Sequence, residues 1–394
     1  MLTRRRLLTR ALAGGLVGAL PLRLALAAAP TDRRFVFVIL RGGLDGLAAV
    51  PPFADPDYAL AHGELAIGTP GSAEGAVALD ETFGLHPALA PLSEIYAAGE
   101  LTVLHAVATP YRERSHFDAQ DLLENGTASP DGAGDGWLNR TLGALGSDDR
   151  LGLAVGHTVP LSLRGAAPIE SWSPQILPAV DADFLMRLAA LYDDDRVLGP
   201  AFSAAMAAES SDEVMQGATG LQRANSLAGI AEPVGAKLAA ESGPRIAVLE
   251  LGGWDTHAQQ GAASGRLARA LTGLAEGLVS LRTGLGQAWN RTAVLVATEF
   301  GRTVSVNGTG GTDHGTATVA FLLGGAVAGG RVIAEWPGLS SGALYEGRDL
   351  APTLDLRSLE KAILADHLQI AHATIETSIL PDSGDVGALA DLFA

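Results

Sequence analysis

The chain has 394 residues, of which 47% are hydrophobic, 18% charged and 5% aromatic, with 49 Gly, 20 Pro and no Cys. That balance excludes a disordered chain, and the length suits one large α/β domain or two smaller ones. The missing cysteine excludes disulfides, thiolate metal sites and a cysteine nucleophile, and a formal net charge of −17, with lysine only at 237 and 361, argues against nucleic acid as a partner.

Residues 1–29 read as an address. Thr3-Arg4-Arg5-Arg6-Leu7-Leu8 is a twin-arginine pattern, Ala11 to Leu26 is mildly apolar, and Ala25-Leu26-Ala27 supplies a small-x-small cleavage site. Pro21 and Arg23 break the apolar run, which falls short of the roughly 20 residues of a membrane span. The expected mature chain starts near Ala28, uses the twin-arginine export machinery, keeps no membrane span and is periplasmic or secreted. Cleavage removes five arginines and no acids, taking −17 to −22.

Five apolar runs then read as buried strands: 35–40, 101–107, 246–251, 292–298 and 319–323. Helical patterns over 87–98, 116–125, 223–241, 263–288 and 356–368 lie between them, and this alternation predicts an α/β doubly wound fold with ligands beyond the strand ends. Residues 30–394 are expected to form a single domain. The stretch 127–222, rich in Pro, Gly and Asp, is expected to be an insertion or cap.

The chemistry-bearing residues cluster at the same strand ends. Asp45, in Arg41-Gly42-Gly43-Leu44-Asp45, reads as a ligand or a turn start. Ser115, before His116, reads either as a helix N-cap or as a nucleophile whose proton His116 accepts. Asp255 and His257, two residues apart, could share a cation or a plain hydrogen bond. Glu299 and Arg302 could be a metal ligand and an anion clamp, or an ion pair. Asp313 and His314 offer oxygen and nitrogen ligands in a loop with four glycines around them. His62, His157, His367 and His372 read as surface or helix positions, and His86 and His105 as core histidines or supporting donors.

In this order, Arg-Gly-Gly-x-Asp-Gly (41–46), Arg-Ser-His-Phe-Asp (114–118), Gly-Gly-Trp-Asp-Thr-His (252–257), Thr-Glu-Phe-Gly-Arg (298–302) and Gly-Thr-Asp-His-Gly (311–315) resemble an uncharacterised bacterial family, domain of unknown function 1501, over about residues 33–380. That family in turn resembles a branch of the alkaline phosphatase and sulfatase superfamily. The resemblance implies a three-layer sandwich, with helices on both faces of a central, largely parallel (mixed) sheet, and hydrolysis or transfer of phosphate or sulfate esters. It matches Asp45 to the first-strand Asp ligand, Ser115 to the nucleophile, Asp255 and His257 to an Asp/His ligand pair, and His314, beside Asp313, to the last His ligand. Glu299 falls where an Asp-His pair is expected, and Phe300 replaces the imidazole. One divalent metal (zinc, calcium, magnesium or manganese) is therefore expected rather than two zinc ions. Formylglycine chemistry is not expected, because Ser115 lacks a following x-Pro-x-Arg.

The expected activity is an exported metal-dependent hydrolase of phosphate or sulfate esters on a small molecule or glycan. Ser115 attacks, and Arg302 or Arg41 holds the non-bridging oxygens. A different class, a non-catalytic binding or assembly protein of the cell envelope, is favoured by Phe300. A carbohydrate-active role with paired carboxylates is a third option.

Overall fold

The structure is a computed structural model that describes residues 31–146, 151–156, 158–173, 191–192, 195–196, 198–203 and 227–394. The expected export signal, His157 and most of 174–226 lie outside the described residues.

Arg34–Leu40 (β1) carries Val36, Val38 and Leu40 into one apolar core and Phe35, Phe37 and Ile39 into another. Side chains alternate along a strand, so a run apolar throughout must be covered on both faces. β1 is accordingly central, parallel to both Ile246–Leu251 (β7) and Thr292–Thr298 (β8). Gly152–Val155 (β5) and Ile169–Trp172 (β6) extend the sheet past β7. Past β8 come Thr318–Leu323 (β9), Leu101–Ala108 (β4) and Arg331–Ile333 (β10), with Leu354–Asp355 (β11) also on β4. The order is β10-β4-β9-β8-β1-β7-β5-β6, while Val77–Ala78 (β2) and Gly84–Leu85 (β3) pair separately.

Within this mixed, largely parallel sheet, β9 runs antiparallel to β8 and β4. The residues before β9 therefore emerge at the same sheet edge as those after β1, β4, β7 and β8. That reversal brings the 311–315 motif to the others.

Eight helical segments matter below: Gly46–Ala49 (α1), Tyr58–His62 (α2), Leu92–Ala97 (α3), His116–Asn125 (α4), Trp137–Leu145 (α5), Leu227–Ala239 (α6), Arg266–Leu285 (α7) and Leu356–Ala362 (α8). α7 places Leu267, Leu271, Leu274, Leu278, Leu281 and Leu285 in one core, which α3 and α6 share. Side chains of α4, α5 and α8 fill the other. The fold is an α/β three-layer arrangement.

The expected insertion does not begin at 127. α5 packs on the sheet, β5 pairs directly with β7 and β6 with β5, so these three elements belong to the main architecture. Of the histidines, His62, His86, His105 and His367 are all buried, whereas His372 is exposed. His62 and His367 do lie in helical segments, but not at the surface. Among the described residues, no helix is long and apolar enough to cross a membrane.

α8 holds two neighbouring charged residues with opposite fortunes. Lys361, 1% exposed, donates to Glu376 Oε1 and to the carbonyls of Ser383 and Val386, tying down the C-terminal segment. Glu360 is 2% exposed with Oε2 unpartnered, and burial together with Asp355 pushes its carboxyl up to about 8. The unfolded chain releases that proton near 4.5 and the folded chain near 8, so stability falls as pH rises between them. Glu360→Gln is expected to raise Tm at about pH 7.5 and to change it little at about pH 4, as read by thermal denaturation at both values.

Candidate metal centre

Arg302, fully buried, joins the loops at the sheet edge. Its Nε donates to Gly43 O (2.8 Å), Nη1 to Thr312 O (3.1 Å), and Nη2 to Gly42 O (2.6 Å), Trp254 O (3.1 Å) and Asp255 Oδ1 (2.5 Å). One side chain from the loop after β8 thus fixes the loops after β1 and β7 and the segment before β9. The expectation that Arg302 holds substrate oxygens is not met by this geometry, because each of its three nitrogens is already bonded within the protein. Arg41 pairs with Glu124 and Glu250 through Nε and Nη2, while its buried Nη1 has no partner.

Glycine makes the close approach possible. A Cβ at Gly42 (φ +127°) would lie 2.5 Å from Asp255 N, and one at Gly43 (φ +79°) 2.8 Å from the Phe300 ring.

Around Arg302, three imidazoles converge. His116 Nδ1 lies 2.8 Å from Glu299 Oε1, His314 Nδ1 3.0 Å from Arg114 O, and His257 Nδ1 3.3 Å from Asp313 Oδ1. Each Nδ1–H therefore donates to an oxygen, which leaves Nε2 as the free coordinating atom. All three Nε2 atoms approach Asp255 Oδ1, at 3.6 Å from His116, 3.0 Å from His257 and 3.3 Å from His314. His257 Nε2 and His314 Nε2 face each other at 2.9 Å. His116 Nε2 is buried and has no hydrogen-bond partner. His116, Asp255 and His314 each offer an atom within 4.8 Å of the others, the separation a shared cation requires.

The electrostatics fit this arrangement. Burial opposes ionisation of Asp255, but the bond to Arg302, its charge, and the neighbouring His257 and His116 together outweigh it and hold the carboxyl below its ordinary value. Burial lowers His314, disfavouring its charged form, whereas the Glu299 bond raises His116. Phe300 packs against both rings, with centroids 4.8 Å from His116 and 4.9 Å from His314.

The remaining expected ligands support the cluster instead of entering it. Glu299, fully buried, accepts from His116, Gly42 N (2.8 Å) and Gln120 Nε2 (3.1 Å) on Oε1, and from Thr298 Oγ1 (2.8 Å) on Oε2. Asp313 accepts from His257 and from Asn307 Nδ2 (3.0 Å). Asp45 caps α1 through Ala48 N and accepts from Gln260 Nε2 at 2.6 Å, with His62 Nε2 3.4 Å away. Burial would raise Asp45 and lower His62, but their mutual attraction prevails in both, so Asp45 is lowered and His62 raised. Gln260 then accepts from Thr256 and Thr312, completing a buried polar network beneath the loops.

Ser115 occupies the N-cap position of α4, but its side chain makes no capping bond and instead interacts with Tyr111. His116 is not placed as its base, because its Nδ1 proton is held by Glu299 and its Nε2 faces Asp255. Sequence reasoning missed His116 as a ligand, and Gln120, Gln260 and Asn307 as supports. The spacing of His116 and Gln120, four apart on one helix face, was the available signal.

A family model described as protein of unknown function (DUF1501) matches residues 95–378. The chain belongs to this family. A search of characterised proteins finds no match in sequence. Among solved structures, the C-terminal periplasmic domain of EcEptC from Escherichia coli is 10% identical, covering 90% of this chain and 88% of that one with a TM-score of 0.44. An alkaline phosphatase from the Antarctic bacterium TAB5 is 11% identical, covering 74% and 91%, with a TM-score of 0.34.

Removing the Arg302 guanidinium would strand four buried carbonyls and the Asp255 carboxylate. Arg302→Met is expected to cost about 3–5 kcal/mol of stability, as read by urea denaturation. A loss under about 1 kcal/mol would show that the loops are held by other contacts.

Proposed function

We propose that this DUF1501 protein holds one divalent cation on Nε2 of His116 and His314 and Oδ1 of Asp255, with His257 Nε2 beside His314 and Asp255, and hydrolyses phosphate or sulfate esters there. The observation that carries the reading is the convergence of three Nε2 atoms whose Nδ1 protons are already committed. Two imidazole lone pairs at 2.9 Å repel unless a proton or a cation lies between them. The orphaned His116 Nε2 adds a third donor aimed at the same carboxylate. A donor set made mainly of imidazole nitrogens suits zinc or a similar transition ion better than calcium or magnesium, which prefer oxygen ligands.

A bound cation would supply positive charge to an anionic ester and acidify an oxygen nucleophile. The chain's own residues do the rest. Glu299, the Arg114 carbonyl and Asp313 fix the ring tautomers. Ser115 leaves the first-turn amides of α4 uncapped by its hydroxyl and is the candidate nucleophile. Its Oγ loses its proton and bonds to phosphorus or sulfur as the ester oxygen leaves with a proton as the alcohol, and water then frees the phosphoryl or sulfuryl group from Ser115 as an anion. The twin-arginine pattern at Arg4 and Arg5 and the site at Ala25-Leu26-Ala27 support export to the periplasm or medium.

A non-catalytic envelope protein is the second reading. It is favoured by Phe300, 4% exposed where the resemblance expects an imidazole, and by the pairing of Arg41 and Arg302 within the protein.

Untagged protein is expected to carry about one metal equivalent by mass spectrometry, lost in His257→Ala and His314→Ala. Ser115→Ala should keep the metal and lose at least about a hundredfold in turnover of activated esters. Metal-free protein would overturn the metal centre. Metal without turnover of any ester would favour the second reading, and full activity in Ser115→Ala would remove that residue from the mechanism.

A further inference from the structure

Resting on that reading, we infer that the site selects esters whose reacting group carries a single negative charge, such as sulfate monoesters or phosphate diesters, over doubly charged phosphate monoesters. The argument is a census of positive charge. The two lysines are remote from the cluster: Lys361 ties the C-terminal segment and Lys237 pairs with Glu170. Among the described residues, the guanidiniums on and beside the cluster's loops all have partners within the protein, although Arg41 keeps one buried nitrogen, Nη1, without a hydrogen bond. Arg302 holds carbonyls and Asp255, and Arg41 holds Glu124 and Glu250. Arg114 holds Glu346 and Asp349, and Arg112 bonds the carbonyls of Thr109 and Tyr111. Arg348 bonds His314 O and lies near Asp349, and Arg266, at the end of the β7 loop, bonds Ala258 O.

The fixed charge is negative. Asp255, Glu299 and Asp313 stand against Arg302, a formal excess of two negative charges that one divalent ion balances. A singly charged ester then leaves the site one charge short of neutral, and a dianion leaves it two short, in a partly buried setting where charge is weakly screened. The first turn of α4, next to the ligand His116, adds no cation. Phe117 is 85% exposed there and Asp118 accepts from Tyr111. An exposed aromatic at that position suits the organic part of an ester and offers nothing to a second anionic oxygen.

The test compares para-nitrophenyl sulfate, bis(para-nitrophenyl) phosphate and para-nitrophenyl phosphate on the metal-loaded full chain. At about pH 8 the last is a dianion. Turnover is measured first, and binding of the same compounds is then measured by calorimetry on metal-loaded Ser115→Ala. At least one singly charged ester should exceed the dianion by about tenfold or more in kcat/KM and in affinity. The sulfate and diester arms separate the two sources of that charge. Phe117→Arg, which adds an exposed guanidinium one residue from His116, should shift the preference several-fold toward the dianion. Equal or better binding and turnover of the dianion would overturn the inference. Selective binding of a singly charged ester without any turnover would overturn the hydrolase reading and keep the charge rule. Absence of binding by all three would overturn both.

Discussion

A guanidinium in a protein interior must find an acceptor for each nitrogen, and Arg302 finds five acceptor atoms, four of them main-chain carbonyls. Carbonyls at a strand end normally turn to water or pair with a neighbouring loop. Here the loops after β1 and β7 and the approach to β9 turn theirs inward onto one cation. The cost of leaving those groups unpaired makes the arrangement cooperative, since no loop can shift without exposing another's acceptor. Asp255 is the link between this scaffold and the chemistry. Its Oδ1 is bound by Arg302 on one side and approached by three imidazoles on the other.

The three histidines show how the fold sets chemistry through tautomers. Each comes from a different segment, and each finds an oxygen at Nδ1: a buried carboxylate, a main-chain carbonyl and a surface carboxylate. The carbonyl belongs to Arg114, which adopts φ +59° and is anchored by Asp349 and Glu346. A left-handed conformation at a non-glycine residue is costly, and here it coincides with the turn that presents both Ser115 and His116. The strain is thus located where two segments carrying candidate ligands are brought into register.

Much of the fold was legible in the sequence, because the five apolar runs lie within a residue of β1, β4, β7, β8 and β9. β5 and β6, four residues each, carry too little periodicity to register as strands, so the region around them reads as an insertion until β5 is seen paired with β7. The motifs also named the residues at the sheet edge, but motif chemistry cannot distinguish a ligand from its support. Asp45 has the local signature of an N-cap, and a buried histidine from α2 approaches it across the fold. Glu299 and Asp313 are acids beside histidines in space, but spacing along the chain does not reveal that they bind ring nitrogens. Arg302 looked like an anion clamp because an exposed arginine would be one. Its burial follows from the glycines at 42 and 43, which let two other loops close over it.

Phe300 sits where one more imidazole is expected, and its packing explains why the remaining site does not collapse. The ring lies against His116 and His314, and Gly43 leaves space for its edge. A histidine there would bring another polar nitrogen into a pocket where Thr298, Gln120 and Gly42 already satisfy Glu299. An apolar ring at this position therefore avoids a desolvation cost and braces two rings already held at Nδ1. Because the candidate ligands come from α4, the β7 loop and the approach to β9, any ion they hold must stabilise the closed arrangement of all three. Metal affinity and local stability are then one quantity, and the scaffold that buries Arg302 is what sets it.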